Sequence, residues 1–154
     1  MKKRALFTGT VVCTAVLIVS QAATAGAAVH QGGLHFGALL FDGPGADLPR
    51  TNSKLNAEYV DLHNNTGQAL HLRGYTVKTA AGALYTFPAF TLAAWKTVRL
   101  KSGQGSSTAA TVFRQKDTFW FNNSSGALTL TAPGRAKKDT CAWKANGRGY
   151  TTCH

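Results

Sequence analysis

Residues 55–73 read LNAEYVDLHNNTGQALHLR, in which two runs of alternating apolar and polar residues flank the turn sequence Asn-Asn-Thr-Gly. Alternation of this kind is typical of a β-strand with one buried face. Pairing Leu62 with Leu70 across the turn predicts a hairpin whose inner face is apolar. The stretch therefore predicts a sheet that has one face in a core and the other in water.

The outer face of this predicted hairpin carries polar residues. Its register places Asp61 opposite His71 and Tyr59 opposite Arg73, and alternation puts His63 on the same face as Asp61. Asp61, His63 and His71 are weak candidates for a metal site, since three such ligands suffice for a catalytic zinc ion. A hydrogen bond between Asp61 and His71 on the surface is the alternative, and we expect neither a metal nor a cofactor.

Catalytic motifs give little support for an enzyme. Nucleophilic catalysis needs a nucleophile, a base and an orienting acid, and no serine lies in a Gly-x-Ser-x-Gly sequence. The best candidate base is His71 beside Asp61. We therefore expect a non-catalytic protein, with a small secreted hydrolase that uses an Asp/His site, with or without a metal, as the alternative.

A second group of acids surrounds the Gly-Pro-Gly turn of residues 43–45. Asp42, Asp47 and Glu58 are candidates for calcium ligands. Acids in loops more often cap turns through the backbone, and three carboxylates without further oxygen ligands are few for calcium. The capping interpretation is favoured.

The same alternation recurs along the rest of the chain, and no segment after residue 28 has a helical period. Short strands between clusters of Gly, Asn, Pro and Ser predict an all-β fold with one core, either a sandwich or a barrel. The predicted strands are Leu34–Phe41, Ala57–His63, Ala69–Leu72, Tyr75–Lys78, Ala83–Phe87, Thr97–Lys101, Thr111–Arg114, Phe119–Phe121, Ala127–Thr131 and Lys138–Trp143.

The first 28 residues predict a secretory signal peptide. The positive start Lys2-Lys3-Arg4 precedes an apolar stretch over residues 5–19, and small residues then offer cleavage sites between residues 25 and 28. A retained membrane anchor is the alternative, but the apolar stretch is shorter than the ~20 residues that a span requires. We therefore predict a secreted, extracellular protein with one domain over residues 29–154 and no transmembrane span in its mature chain.

The three cysteines divide between these two regions. Cys13 lies in the apolar stretch, whereas Cys141 and Cys153 remain after cleavage. An even count of cysteines in an exported chain indicates a disulfide, which here would stabilise the fold by roughly 3 kcal/mol. A metal site made by these cysteines with His154 is the alternative, although the set is incomplete for zinc.

Net charge indicates the class of partner. Without Lys2, Lys3 and Arg4 the chain has 14 Lys and Arg against six Asp and Glu, a net charge of +8. This charge favours an anionic polymer such as a cell-envelope component, or nucleic acid bound non-specifically and sensitive to salt. Solubility alone is one alternative, and a structural role in the envelope through a protein partner is another. We expect a monomer.

Basic and aromatic residues are the best candidates for contact with a partner, because flat rings and fixed cations suit anionic or sugar-containing polymers. Alternatively, the tryptophans close the ends of the sandwich and the cations only solvate strands. Arg135, Lys137 and Lys138 could equally protect an edge strand from aggregation. The candidate binding residues are Trp95, Arg99, Lys101, Arg114, Lys116 and Trp120.

Six short motifs occur in order along the chain, namely DGPGAD at 42–47, LNAEYVDLHN at 55–64, RGYTV at 73–77, YTFP at 85–88, WFNNSSG at 120–126 and DTCAW at 139–143. Together they resemble the lamin tail domain, in the form found in exported bacterial proteins. The resemblance implies an immunoglobulin-like β-sandwich and a docking surface, which nuclear lamins use for proteins and DNA. One difference is Ser125-Gly126-Ala127, where family members often carry an Asp.

Overall fold

The computed structural model describes residues 31–154, and the predicted signal peptide with Cys13 lies outside the described residues. Within residues 31–154 no helix is long and apolar enough to cross a membrane. The described elements are β1 (Gly33–Leu40), α1 (Asn52–Leu55), β2 (Tyr59–Asn65), β3 (Leu70–His71), β4 (Thr76–Thr79), β5 (Leu84–Thr86), β6 (Thr91–Leu92), β7 (Thr97–Lys101), β8 (Thr111–Phe113), β9 (Ser125–Thr131), β10 (Lys137–Lys144) and β11 (Tyr150–Thr152).

Two sheets share one hydrophobic core. One has the strand order β11-β1-β2-β7-β8 and the other the order β10-β9-β4-β5, while β3 and β6 form a separate pair. Alternate residues of the long strands enter the core, as Leu62 of β2 and Leu128 and Leu130 of β9 do with no exposed surface. Burial of such a side chain contributes about 2 kcal/mol. The predicted all-β, immunoglobulin-like β-sandwich is confirmed.

The predicted pairing of Leu62 with Leu70 is wrong. Strand β2 pairs with β1 and β7, so that Leu62 lies opposite Phe36 and Val98. Leu70 instead lies opposite Leu92 in the separate pair of β3 and β6. Residues 59–73 are therefore not a hairpin, although both runs are strands.

The side chain of Asn64, which is fully buried, explains this departure. Its Nδ2 donates hydrogen bonds to the carbonyl oxygens of Gln68 at 2.8 Å and Ala93 at 3.0 Å, and its Oδ1 accepts the N–H of Thr66 at 3.1 Å. These bonds tie the loop after β2 to the end of β6. The chain consequently leaves the first sheet instead of folding back along β2.

The short elements were the hardest to predict. Strands β6 and β11 and helix α1 each have two to four residues, which is too few for a period to be visible. The helix begins after Thr51, whose Oγ1 accepts the N–H of Lys54 at 3.3 Å. The predicted strand Phe119–Phe121 is wrong, because this segment is not in either sheet.

A buried carboxylate takes the place of strand pairing in that segment. Glu58 is only 1% exposed, and its Oε2 accepts the N–H of Trp120 at 2.9 Å and that of Phe121 at 3.4 Å. Ser102 donates its hydroxyl to the same oxygen at 2.9 Å. Burial outweighs these hydrogen bonds and raises the pKa of Glu58 from 4.5 to about 7.

Because the folded protein holds the Glu58 proton more tightly than the unfolded chain does, this group stabilises the fold at pH below about 4.5 and its contribution is lost as the pH rises to about 7. We expect the free energy of unfolding to fall across this window by at most roughly 3 kcal/mol. The variant Glu58→Gln should remove this fall, measured by urea unfolding between pH 5 and 8. The control variant Asp117→Asn removes an exposed carboxylate and should show the same fall in the free energy of unfolding as the wild type. An undiminished fall in Glu58→Gln would contradict the assignment.

The predicted disulfide between Cys141 and Cys153 is present. It joins β10 of one sheet to the segment after β11, where the N–H of Cys153 donates to the carbonyl of Gly37 on β1 of the other sheet at 2.9 Å. His154, the alternative metal partner, instead bonds through Nε2 to Asp139 Oδ1 at 2.9 Å. The second Asp139 oxygen accepts the N–H of Phe36 at 2.7 Å. A covalent link and a buried carboxylate thus connect the two sheets at one place.

Removing this disulfide should destabilise the sandwich. The bond closes a loop with a sequence separation of 12, for which the loss on removal is about 3 kcal/mol. We expect Cys141→Ala/Cys153→Ala to show this loss in urea unfolding and to be insensitive to dithiothreitol, while the wild-type protein loses the same stability when reduced. Equal stability of oxidised and reduced wild-type protein would show that the bond does not hold the sheets together.

Candidate functional site

The six predicted binding residues do not form one surface. Arg99 and the half-buried Lys101 lie on the outer face of β7, and Trp95 lies in the turn before it. Arg114 and Lys116 follow β8. Trp120 belongs to the core and is 5% exposed.

Arg99 is matched within the protein. Its Nε and Nη2 donate to the two oxygens of Asp61, each at 2.8 Å, and its guanidinium lies 3.5 Å from the centre of the Tyr59 ring. The bidentate hydrogen bond to Asp61 raises the pKa of Arg99 further, against the opposing effect of burial. Such an ion pair satisfies a guanidinium so well that Arg99 makes a poor contact for an external anion.

Arg114 also makes internal contacts. Its guanidinium lies 5.3 Å from the ring of Trp120 and donates to the hydroxyl of Thr118 at 3.1 Å. Burial lowers the pKa of Arg114. Trp120 itself stacks on Phe121, with ring centres 5.1 Å apart. For Trp120 the interpretation as a core residue holds, while Lys116 stays exposed beside a cavity of about 140 Å³.

The weak metal candidates are held by other partners. Asp61 binds Arg99, His63 Nδ1 is hydrogen-bonded to Thr97 Oγ1 at 2.9 Å, and His71 Nδ1 is bonded to Thr91 Oγ1 at 3.0 Å on β6. The convergence of these three side chains depended on the wrong hairpin register. Among residues 31–154 no group of three or more His, Cys, Asp or Glu is arranged to hold a metal ion.

The acids near residues 43–45 stabilise loops. The Nδ2 of Asn123 donates to Asp42 Oδ1 at 3.0 Å and to Asp47 Oδ2 at 3.3 Å. Glu58 binds the main chain of residues 120 and 121, as described above. Asp42 and Asp47 thus bind a distant side-chain amide instead of capping their own turn, and they connect the loop after β1 to the loop before β9.

A different surface collects exposed cations. We define the basic face as the outer face of the sheet β10-β9-β4-β5 with Lys78, Lys137, Lys138 and Lys144, all of which are exposed. Lys78 on β4 lies opposite Thr129, which lies opposite Thr140 on β10. A shift of register after Lys137 leaves both Lys137 and Lys138 beside the end of β9.

The basic face is free of carboxylates within the described part of the chain. The acid of β10, Asp139, alternates to the buried side and is 6% exposed. The other acids belong to the loops or to β2, at residues 42, 47, 58, 61 and 117. No negative side chain of residues 31–154 therefore competes with an external anion for these lysines on the sheet face itself.

Most of the basic side chains have no acidic partner. Of the 14 Lys and Arg in residues 31–154, Arg99 alone lies within 4.0 Å of an Asp or Glu oxygen. The remaining positive charge is available to act over a distance, because carboxylates do not neutralise it locally.

Sequence reasoning missed Lys78 and Lys144. The alternation in Lys138–Lys144 already places its first and last residues on one face, so this pair could have been found. Lys78 joins them only through the strand order β10-β9-β4, which no local pattern contains.

Comparison with known proteins agrees with this architecture. Residues 31–145 match the family model described as Lamin Tail Domain. A comparison with curated proteins finds no match. Because the family model covers most of the chain, the chain belongs to the lamin tail domain family.

Proposed function

We propose that this lamin tail domain protein is an exported, non-catalytic interaction module that binds an anionic polymer through its basic face. The observation that carries the proposal is the uncompensated positive charge, since one of 14 basic side chains in residues 31–154 is paired with an acid. A cell-envelope polymer is the favoured ligand, because the predicted signal peptide directs the chain out of the cytoplasm. Extracellular DNA, which is also a polyanion, is the alternative ligand.

The shape of the basic face favours a polymer over a small molecule. Lys138 and Lys144 are separated by six residues along β10, or ~20 Å, and Lys78 lies two strands from Thr140, or ~10 Å. Cations so widely spaced on a flat sheet cannot surround one small anion. A linear polyanion can contact several of them at once.

The contacts of the candidate catalytic groups favour binding over hydrolysis. Asp61 is engaged by Arg99, and His63 and His71 are bonded to threonines on strands of different sheets. A general base must be oriented towards a nucleophile, and these bonds orient the three groups elsewhere. The hydrolase alternative therefore has less support than the binding module.

Reversal of the charges on the basic face should abolish most binding. We expect Lys78→Glu/Lys138→Glu/Lys144→Glu to lose more than tenfold in affinity for wall teichoic acid at low salt, since each removed cation gives up one phosphate contact. For duplex DNA the plot of log affinity against log salt concentration has a negative slope, and we expect this slope to become less steep by roughly three. The dissociation constants can be measured by fluorescence anisotropy at several salt concentrations.

The matched control reverses three exposed cations outside the basic face. Arg73→Glu/Lys116→Glu/Arg148→Glu lowers the net charge by the same amount, and we expect a much smaller loss of affinity. Equal losses in the two variants would mean that the protein binds through its overall charge. If the wild-type protein binds neither polymer at low salt, the proposed function is wrong.

Export can be tested separately. When the full chain is expressed in a secreting bacterial host, we expect the protein in the medium to begin after residue 25, 27 or 28, as determined by mass spectrometry. The control Leu17→Asp interrupts the apolar stretch and should keep the protein in the cells. An uncleaved wild-type chain retained by the cells would contradict the prediction.

A further inference from the structure

Trp95 has two unusual properties. Its backbone φ is 60°, in the left-handed region that bulky residues avoid, and its side chain is 60% exposed. It is the third residue of the turn 93–96, which is closed by the N–H of Lys96 donating to the carbonyl of Ala93 at 3.3 Å. Turns ordinarily carry Gly or Asn at a position with positive φ. The fold therefore accepts both strain and an exposed aromatic ring at one position.

The turn is well fixed by its neighbours. The N–H of Trp95 donates to the carbonyl of Thr66 at 3.2 Å. The indole packs against Gly67. Its Cζ2 atom lies 3.8 Å from the position that a Cβ on Gly67 would occupy. The ring is thus held against the loop after β2, and most of its surface remains open to solvent.

Thr66, which accepts the N–H of Trp95, also lines a surface cavity. This cavity of about 230 Å³ is lined by Gly32, Gly33, Leu34, Thr66, Leu70, Tyr75 and Lys138. Lys138 is also part of the basic face. Thr66 therefore places the turn of Trp95 beside this cavity, and Lys138 places the cavity beside the basic face.

The chemistry of this surface is mixed. The exposed Trp95 indole offers flat apolar contact beside the cavity, while Tyr75 and Lys138 of the cavity lining add an aromatic ring and a positive charge. A sugar ring with an acidic substituent can use both the apolar and the charged contacts. The cavity is also smaller than the roughly 300–1,000 Å³ of sites for drug-sized ligands, which suits a single ring.

We propose that Trp95 and this cavity form a subsite for one sugar ring of an acidic glycan, whose neighbouring charges lie along the basic face. The inference rests on the proposed function and names the polymer class. Single-stranded nucleic acid is less well matched, because its binding surfaces stack successive bases on several aromatic rings. The other exposed large apolar residues of the described chain are in other elements, at Leu48, Leu84 and Tyr150.

Removal of the indole separates this subsite from general charge attraction. We expect Trp95→Gly to bind alginate, a polymer of uronic acids, about tenfold more weakly than the wild-type protein does, and to bind polyphosphate, which has charge without sugar rings, with unchanged affinity. The control Leu48→Ala removes an exposed apolar side chain from the loop before α1, outside the basic face, and should leave both affinities unchanged.

Stability distinguishes a binding role from a structural one. Glycine adopts a φ of 60° without strain, so we expect the Tm of Trp95→Gly to be equal to or above that of the wild type. A fall of more than ~4 °C would show that Trp95 serves the fold and would overturn the proposal.

The wild-type protein supplies an independent measurement, because Trp120 and Trp143 are buried and Trp95 is exposed. Alginate should protect tryptophan fluorescence from acrylamide quenching, and polyphosphate should not. Equal alginate affinity of Trp95→Gly and wild type would overturn the subsite while leaving the proposed function intact. If Trp95→Gly bound alginate as the wild type does but bound single-stranded DNA more weakly, the subsite would hold a base and the proposal of a sugar ring would be overturned. Failure of the wild type to bind either alginate or polyphosphate would count against the proposed function as well.

Discussion

The buried carboxylate of Glu58 holds together the part of the sandwich where the chain passes from one sheet to the other. It lies just before β2, accepts the hydroxyl of Ser102 just after β7, and accepts two main-chain N–H groups between β8 and β9. Those amides have no strand to pair with, and an unsatisfied buried amide costs about 1–3 kcal/mol. Glu58 thus replaces a missing strand, and its pKa of about 7 reflects the cost of burying its charge.

The same use of carboxylates recurs and shapes the surface. Asp139 accepts the N–H of Phe36 between the sheets, Asp42 and Asp47 share Asn123, and Asp61 binds Arg99. The fold therefore engages five of its six acids in internal contacts. The lysines lie on the surface, whereas most of the acids are used in contacts within the fold. This internal use of the acids leaves the surface positively charged.

The features that depend on residues near one another in the sequence could be predicted from it. Alternation identified Thr97–Lys101 with its observed bounds, and counting the cysteines outside the predicted signal peptide predicted the disulfide. The register of Leu62 failed because the buried Asn64 amide, not the apolar pattern, directs the next residues towards β6. The basic face was missed because Lys78 reaches Lys144 only through the order of the strands. Non-local pairing is a property of the whole chain, and no window of sequence contains it.

Electrostatic attraction alone would make the basic face a weakly selective surface, since charge acts at long range and does not distinguish one polyanion from another. Selectivity needs contacts that depend on shape, and the turn at Trp95 is the place where the fold accepts strain to present one. Strain persists only where the surroundings determine the backbone, as the bond to Thr66 and the contact with Gly67 do here. Under the proposal, the lysines therefore supply most of the affinity, and a single constrained indole decides which polymer is retained.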